Sequence, residues 1–225
     1  MIRKHLDHIF LGFTFVLITV LAVYFRQPPY RYLPLCVSLI IYLLQSRVSR
    51  YAYLLGSLNS IFYAVVYMGL GVYASAASAM FFSFPLQLCT FFMWRKRADG
   101  HSTRLRRMGV RGYVLMLLLF AVAWTGLYLV LHALNSTSQI LDNTSTLLGI
   151  LVYFLTMFSF IEYTYLQIVG NVFSILLQAS LLKDHPGQMT YMVLTLYATV
   201  FAVRAIFRAH ALYKKQQKEN RYEGS

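Results

Sequence analysis

Long apolar runs separated by short polar or basic segments dominate the pattern of hydrophobic and polar positions in this chain. Eight of these runs approach the roughly 20 apolar residues that a membrane-spanning helix requires. They cover approximately residues 8–25, 31–46, 51–70, 72–94, 112–134, 142–160, 162–182 and 188–209. The pattern therefore predicts an all-α polytopic membrane protein with about eight spans.

The motif Tyr-x-Tyr-Leu-x4-Asn occurs twice in this pattern, at residues 51–59 and, 112 positions later, at residues 163–171. The same offset lays spans two to four over spans six to eight. Since three spans and one linking span separate the copies, two triplets of helices would share one orientation, as in transporters built from parallel repeats. The predicted segments are an N-terminal anchor helix in residues 1–30, a first three-helix repeat in 31–94, a basic loop in 95–111, a linking helix in 112–134, a second three-helix repeat in 142–209 and a tail in 210–225.

Composition and charge support this class and indicate an orientation. Hydrophobic residues make up 59% of the chain and charged residues 12%, whereas a soluble domain has about 25% charged residues. The net charge of +13 comes from Lys and Arg at the ends of apolar runs, which excludes nucleic acid as a partner and favours the lipid bilayer. Because the basic loop, Arg47, Arg50 and the basic residues from Arg208 onward fall on one side, the positive-inside rule predicts that both termini are cytoplasmic in a plasma or inner cell membrane.

Polar side chains recur at helical spacing on three of the predicted spans. On span seven they form a stripe along one face, and on spans three and four they are joined by aromatic rings. The candidate substrate-binding residues are Thr164, Gln167, Asn171, Ser174 and Gln178 on span seven, Asn59, Tyr63 and Tyr67 on span three, and Gln87, Phe91 and Trp94 on span four. Each polar residue alone could equally well join two helices, and each ring could serve packing. Together on shared faces, they favour a path for a polar solute.

Catalytic and metal-binding motifs do not occur in the sequence. There is no His-Glu-x-x-His, no Gly-x-Ser-x-Gly and no phosphate-binding glycine loop, and the six histidines are scattered. Asp142 and Glu162 each open a predicted span, where the helix dipole favours an acid. We therefore predict a protein that is not an enzyme and has no cofactor. Since no acid lies in the middle of a span, we expect transport without ion coupling.

Two segments of the chain resemble the PnuC family of vitamin transporters. Residues 56–97 resemble the part of the family in which a Tyr-rich span precedes a span ending in Gln-x6-Trp, here Gln87 and Trp94. Residues 141–174 resemble its second half, where an Asp opens one span and Glu-x8-Asn, here Glu162 and Asn171, occupies the next. The resemblance extends over about residues 30–210.

The resemblance implies a three-plus-one-plus-three helix fold related to the sugar-transporting SWEET proteins, with an extra N-terminal helix. It also implies facilitated uptake of a vitamin, most often nicotinamide riboside, which a separate kinase traps in the cell by phosphorylation. In the family, the solute lies between the triplets and contacts aromatic rings and the Gln and Asn matched by Gln87 and Asn171. This chain has Thr164 and Gln167 where tryptophans are common, so thiamine and riboflavin stay as alternative substrates.

These observations together predict a membrane transporter for a small-molecule vitamin or nucleoside. Gln and Asn would pair with the carboxamide of nicotinamide riboside, Ser, Thr and Tyr with its ribose hydroxyls, and aromatic faces with its pyridinium ring. We expect Asn171 to contact the solute and Asn59 to be closer to structural. The alternative from a different class is a non-transporting membrane sensor or scaffold. The oligomeric state, including a homo-oligomer, is left open by the sequence.

Overall fold

The apolar runs form helices in the computed structural model, which describes residues 2–96, 98–99, 102–134 and 138–222. The helices are α1 (Ile2–Tyr24), α2 (Pro29–Ser46), α3 (Tyr51–Gly69), α4 (Tyr73–Ser78), α5 (Phe84–Lys96), α6 (Val110–Ala133), α7 (Gln139–Met157), α8 (Tyr163–Leu181) and α9 (Gln188–Tyr222). A π-helical segment, Ala79–Ser83, joins α4 to α5, and the two-residue strands β1 (Ala98–Asp99) and β2 (Ser102–Thr103) pair antiparallel in the following loop. Residue 1 of the predicted anchor, residues 97, 100 and 101 of the predicted loop and residues 223–225 of the predicted tail lie outside the described residues.

Six helices in the described part of the chain are long and apolar enough to cross a membrane. They are α3, the continuous helix Tyr73–Lys96, α6, α7, α8 and the part Gln188–Lys218 of α9, and Ile9–Tyr24 of α1 forms a shorter apolar helix. The surface of α6 carries Val114, Leu118 and Val122, all more than half exposed, as suits a helix surrounded by lipid. The prediction of an all-α membrane protein is confirmed, whereas the count of eight spans stays a prediction.

The helix ends differ from the predicted segments mainly around the basic loop and the tail. α5 continues through Lys96 and α6 begins at Val110, so helices occupy both ends of the predicted loop 95–111. α9 continues through Tyr222 and includes the described part of the predicted tail. Its last third is rich in Lys, Gln and Glu, which have high helix propensity, so the helix outlasts the apolar run.

The hydrophobic core lies where α1, α2, α3, α8 and α9 meet. Leu35 and Leu39 of α2 and Tyr197 and Phe201 of α9 are almost completely buried there. Phe10 of α1 stacks on Tyr197, with 5.2 Å between the ring centroids. The first helix is thus packed against the bundle through apolar and aromatic contacts.

The helices pair in the same way in the two predicted triplets. α2 packs on α3 and α3 on α5, and in the second half α7 packs on α8 and α8 on α9. The halves meet along two seams, because α2 also contacts α9 and α5 also contacts α7. We call the end of the bundle where α2, α4, α7 and α9 begin the Asp142 end, and the opposite end, where α3, α6 and α8 begin, the Trp94 end.

Candidate functional site

A cavity of about 200 Å³ lies between the two halves of the bundle, and we call it the central cavity. Its wall comes from both triplets: α2, α3, the α4 and π-helical part of the broken helix, α7, α8 and α9. Amides, hydroxyls and tyrosines supply the polar part of this wall. The lining residues used below are Tyr42, Ser60, Tyr63, Tyr67, Ser75, Ser78, Ser83, Ser145, Thr146, Tyr153, Gln167, Asn171, Ser174, Gln178, Tyr191 and Thr195.

α8 contributes a stripe of four polar residues to this wall. Gln167, Asn171, Ser174 and Gln178 are spaced by four, three and four positions, so they share one helix face. Gln167 donates from Nε2 to Asn171 Oδ1 at 3.1 Å, and Gln178 donates to Thr195 Oγ1 at 3.0 Å. Because a side-chain amide has two N–H groups and a carbonyl with two lone pairs, these bonds leave hydrogen-bonding capacity for a solute.

Two stacked tyrosines from α3 face the same cavity. The rings of Tyr63 and Tyr67 lie 5.7 Å apart with 22° between their planes, and Tyr191 of α9 meets Tyr63 edge-on at 6.4 Å. The Tyr63 hydroxyl lies 2.8 Å from Ser38 Oγ, which fixes its position. The ring faces are therefore held in place for contact with a flat or cationic solute.

The broken helix supplies hydroxyls from its first half. Ser75 and Ser78 on α4 and Ser83 in the π-helical segment line the cavity. Pro85 has no N–H to donate to the carbonyl of Phe81, and the hydrogen-bond ladder changes its register there. π-helical turns are common at functional sites, and here the irregular backbone lies against a cavity, where a membrane protein tolerates it.

Asp142 of α7 is fully buried directly behind this wall. Its carboxylate accepts hydrogen bonds from the backbone N–H groups of Ala74 and Ser75, both at 3.1 Å, and from Ser75 Oγ at 2.6 Å. Thr146 Oγ1 also donates to it, at 3.4 Å. The sequence suggested an acid at the start of its own helix, and the structure shows that Asp142 caps the start of α4 in the other half of the bundle.

Five of the predicted site residues do not line the central cavity. Asn59 donates to Pro34 O at 3.0 Å and to Ser38 Oγ at 2.9 Å, which joins α3 to α2. Gln87 donates to Ser60 Oγ at 2.9 Å, so it contacts the wall from behind. The remaining three are Trp94, whose Nε1 donates to Thr156 O at 2.9 Å, Phe91, whose ring lies 6.1 Å from that of Tyr51, and Thr164, which donates to Ile161 O at 2.9 Å.

Several lining residues were not among the predicted ones. The most prominent are Tyr191 and Thr195 on α9. Thr199 follows at the same spacing of four and, although it does not line the cavity, accepts a hydrogen bond from the wall residue Asn171 at 3.1 Å. This spacing is the same signal that identified the α8 stripe and could have identified them. Tyr42 is a lone polar position within an apolar stretch, and Ser145 and Thr146 end a run of five polar residues at 142–146, so no periodic pattern marks them.

Two smaller cavities adjoin the central cavity at its two ends. At the Asp142 end, a cavity of about 170 Å³ is lined by Arg26, Arg31 and Asp184, and it shares Tyr191 with the central cavity. At the Trp94 end, a cavity of about 20 Å³ shares Tyr42 and Gln167 with it and includes Thr164. We call these the outer and the inner cavity. The three cavities follow one another along the seam between α2 and α9.

Glu162 lies at the Trp94 end, where the described part of the basic loop docks on the bundle. Its Oε1 accepts hydrogen bonds from Met108 N at 3.1 Å and from the Tyr113 hydroxyl at 2.9 Å. Arg106 pairs through its backbone with the turn between α7 and α8. Within the described residues, no group of three or more His, Cys, Asp or Glu is placed to hold a metal ion.

An apolar exterior around a polar cavity defines the class of this protein, a helical membrane transporter for a small polar solute. The chain matches the family model of the nicotinamide mononucleotide transporter over residues 29–211, and it belongs to that family. Its structure is similar to the crystal structure of the vitamin B3 transporter PnuC, with a TM-score of 0.80 and 19% sequence identity over 94% of this chain and 93% of that one. No curated protein sequence matches significantly. The resemblance to PnuC is confirmed, and the protein is a transporter and not an enzyme.

Proposed function

We propose that this chain carries a vitamin or its nucleoside across the cell membrane by facilitated diffusion, with nicotinamide riboside as the first candidate. The observation that carries the proposal is the central cavity, walled by amides, hydroxyls and tyrosines from both triplets. Its volume of about 200 Å³ lies below the roughly 300–1,000 Å³ of pockets for drug-sized ligands, which suits a small solute.

The chemistry of the wall suits each part of a nicotinamide riboside molecule. Gln167, Asn171 and Gln178 offer donors and acceptors to a carboxamide, and the serines of α4 and α7 offer partners to ribose hydroxyls. The stacked faces of Tyr63 and Tyr67 suit a pyridinium ring. Phosphorylation by a separate kinase then retains the solute inside the cell.

The two triplets work as parallel repeats that close on the solute, with α6 as the linking helix and α1 as an additional helix, which makes eight spans. The matching helix pairs within each half and the two seams between them support this arrangement. The outer, central and inner cavities form the route, with Tyr191 at one division and Tyr42 and Gln167 at the other. Alternating access requires these divisions to open in turn.

The Trp94 end faces the cytoplasm in this proposal, and both termini lie there. Arg47, Arg50, Arg95 and the basic residues of α9 belong to this end, whereas the Asp142 end has only Arg26, Arg31 and Lys183 in the described part of the chain. The protein then sits in the plasma or inner membrane with its basic loop against anionic lipid.

Thiamine and riboflavin are the alternative substrates, because sequence positions near the site differ from the family pattern. A membrane sensor or scaffold is less well supported, since a polar stripe used only to join helices would leave no cavity beside it. The test is uptake of labelled nicotinamide riboside, thiamine and riboflavin into proteoliposomes that hold the purified protein. We expect saturable uptake of nicotinamide riboside that the unlabelled solute competes away, and protein-independent uptake of all three would contradict the proposal.

A further inference from the structure

The wall of the central cavity is polar but carries no formal charge. Among the lining residues that the structure describes there is no Asp, Glu, Lys, Arg or His. The basic residues Arg26 and Arg31 line the separate outer cavity, beyond Tyr191. A charged solute in the central cavity would therefore respond to whatever ionised group lies closest behind the wall.

Asp142 is such a group. Two of the residues that donate hydrogen bonds to its carboxylate, Ser75 and Thr146, are themselves part of the wall. Their hydroxyl oxygens lie 3.2 Å apart, so both cover the carboxylate at the same place. Tyr67, also on the wall, lies within electrostatic range of Asp142. A solute that touches either hydroxyl is separated from the carboxylate by a single side chain.

Burial of Asp142 disfavours a charge on its carboxyl, and the hydrogen bonds around it oppose this effect and stabilise the ionised form on which the inference depends. Two backbone N–H groups and two hydroxyls donate to the carboxylate, and hydrogen bonds to a carboxylate stabilise its charge. The N-terminus of α4, continued by the π-helical segment and α5, adds the positive end of a helix dipole. In a membrane interior of low dielectric constant, the field of this anion reaches further than it would in water.

We infer that Asp142 determines specificity: the field of its buried carboxylate, one side chain behind the wall at Ser75 and Thr146, gives the central cavity a preference for cationic solutes over neutral solutes of the same shape. This inference rests on the proposed function and deepens it, because the nicotinamide ring of the riboside is a cation. The capping of α4 and the selection of charge are two roles of one side chain. A substitution that removes the charge but keeps the shape of the side chain tests the selection of charge separately from the capping.

The expected size of the effect follows from Coulomb's law for an assumed separation of one side chain between the two charges. Unit charges about 6 Å apart at an effective dielectric constant of about 20 interact strongly enough to change an affinity about a hundredfold. The dipole at the start of α4 offsets part of this field. We therefore expect Asp142→Asn, which keeps the shape and one acceptor oxygen, to weaken binding of the cation about tenfold or more.

The experiment compares nicotinamide riboside with its dihydro form, which keeps the ribose and the carboxamide but has an uncharged ring. Both are titrated by calorimetry against the purified wild-type protein, Asp142→Asn and the matched control Glu162→Gln, which removes a carboxylate charge at the Trp94 end, away from the central cavity. Wild type should bind the cation more tightly than the neutral form. The ratio of the two affinities should fall about tenfold in Asp142→Asn and stay unchanged in Glu162→Gln.

Each outcome separates the inference from the proposed function. An equal loss of affinity for both forms in Asp142→Asn would show that Asp142 only caps α4 and would overturn the inference. If Asp142→Asn does not fold, equal affinities of wild type for the two forms overturn it in the same way. Binding of cationic thiamine alone would contradict the substrate but support the inference, and binding of neutral riboflavin alone would contradict both.

Discussion

The two asparagines of the repeated motif, Asn59 and Asn171, have different surroundings at the residue scale. The Asn59 amide donates both its hydrogens to α2, to Pro34 O and Ser38 Oγ. The Asn171 amide lies on the cavity wall, accepts a hydrogen bond from Gln167 and donates one to Thr199. The first joins two helices, whereas the second keeps capacity for a solute.

Replacing Asn171 by leucine should therefore weaken substrate binding. The change keeps approximate volume but removes donor and acceptor, which leaves a polar group of the solute unpaired at a cost of about 1–3 kcal/mol, or roughly a tenfold to hundredfold loss of affinity. Titration of folded, monodisperse protein with the substrate measures this loss of affinity. Asn59→Leu is the matched control and should lower the unfolding temperature with little change in affinity. Unchanged affinity in Asn171→Leu would indicate that the polar residues of the α8 stripe join helices and do not bind the solute.

Trp94 gives a second prediction at this scale, because the structure places it away from the cavity. Its ring is fully buried against Tyr53, at 4.8 Å between centroids, and its N–H donates to Thr156 O. Trp94→Phe removes this hydrogen bond and leaves a cavity where the larger ring was packed, although Ser159 N still donates to Thr156 O at 2.9 Å, so we expect a loss of about 1–3 kcal/mol in stability. Thermal unfolding and titration of the same sample should show a lower melting temperature and an unchanged affinity. A selective loss of affinity would instead support the stacking role that the sequence suggested.

At the scale of elements, helical spacing predicted which residues share one face of a helix but not which neighbouring helix packs against that face. The α8 stripe was identified because polar residues repeat along one face, and four of its five members line the central cavity. Gln87 and Trp94 fall on polar and aromatic positions of α5 just as clearly, yet they face α3 and α7. The π-helical turn before Pro85 changes the register between α4 and α5. A uniform rotation per residue therefore could not show which residues of this span line the central cavity.

The contact between α3 and α5 depends on a glycine. A methyl group on Gly56 would collide with the Gln87 carboxamide, which reaches across to Ser60. Gly56→Ala must push this carboxamide away, and we expect a loss of about 1–3 kcal/mol in stability, the usual cost of overpacking. Gly126→Ala in α6 is the control, since nothing lies within 4 Å of its added methyl group. Equal melting temperatures for both variants would show that Gln87 moves aside without cost.

At the scale of the whole molecule, the distribution of basic residues predicts which end faces the cytoplasm. The test uses a protein in which Cys36 and Cys89 are replaced by alanine. Either Lys183→Cys at the Asp142 end or Lys218→Cys near the end of α9 is then introduced, and both positions are exposed. A membrane-impermeant maleimide should label Cys at 183 in intact cells and Cys at 218 only after permeabilisation. The reverse pattern would invert the proposed orientation.

The arrangement of acidic groups in the whole molecule also determines whether transport is coupled to a proton or a sodium ion. A carrier that couples to protons requires a group that gains and loses a proton in each cycle, and the described wall of the central cavity has no acid. Asp142 is held by four donors, and Glu162 lies at the Trp94 end between Met108 and Tyr113. Neither is placed to exchange a proton with a solute in the cavity.

Uptake of nicotinamide riboside into proteoliposomes should therefore be independent of proton and sodium gradients once the membrane potential is clamped at zero with potassium and valinomycin. The clamp matters because a cationic solute carries charge by itself. An inside-negative potential of 100 mV is worth about 2.3 kcal/mol per unit charge, so it should raise the equilibrium accumulation about fiftyfold without any coupled ion. A neutral solute such as the dihydro form should not respond to the potential. Loss of uptake at zero potential when the proton or sodium gradient is dissipated would show that the protein couples transport to an ion after all.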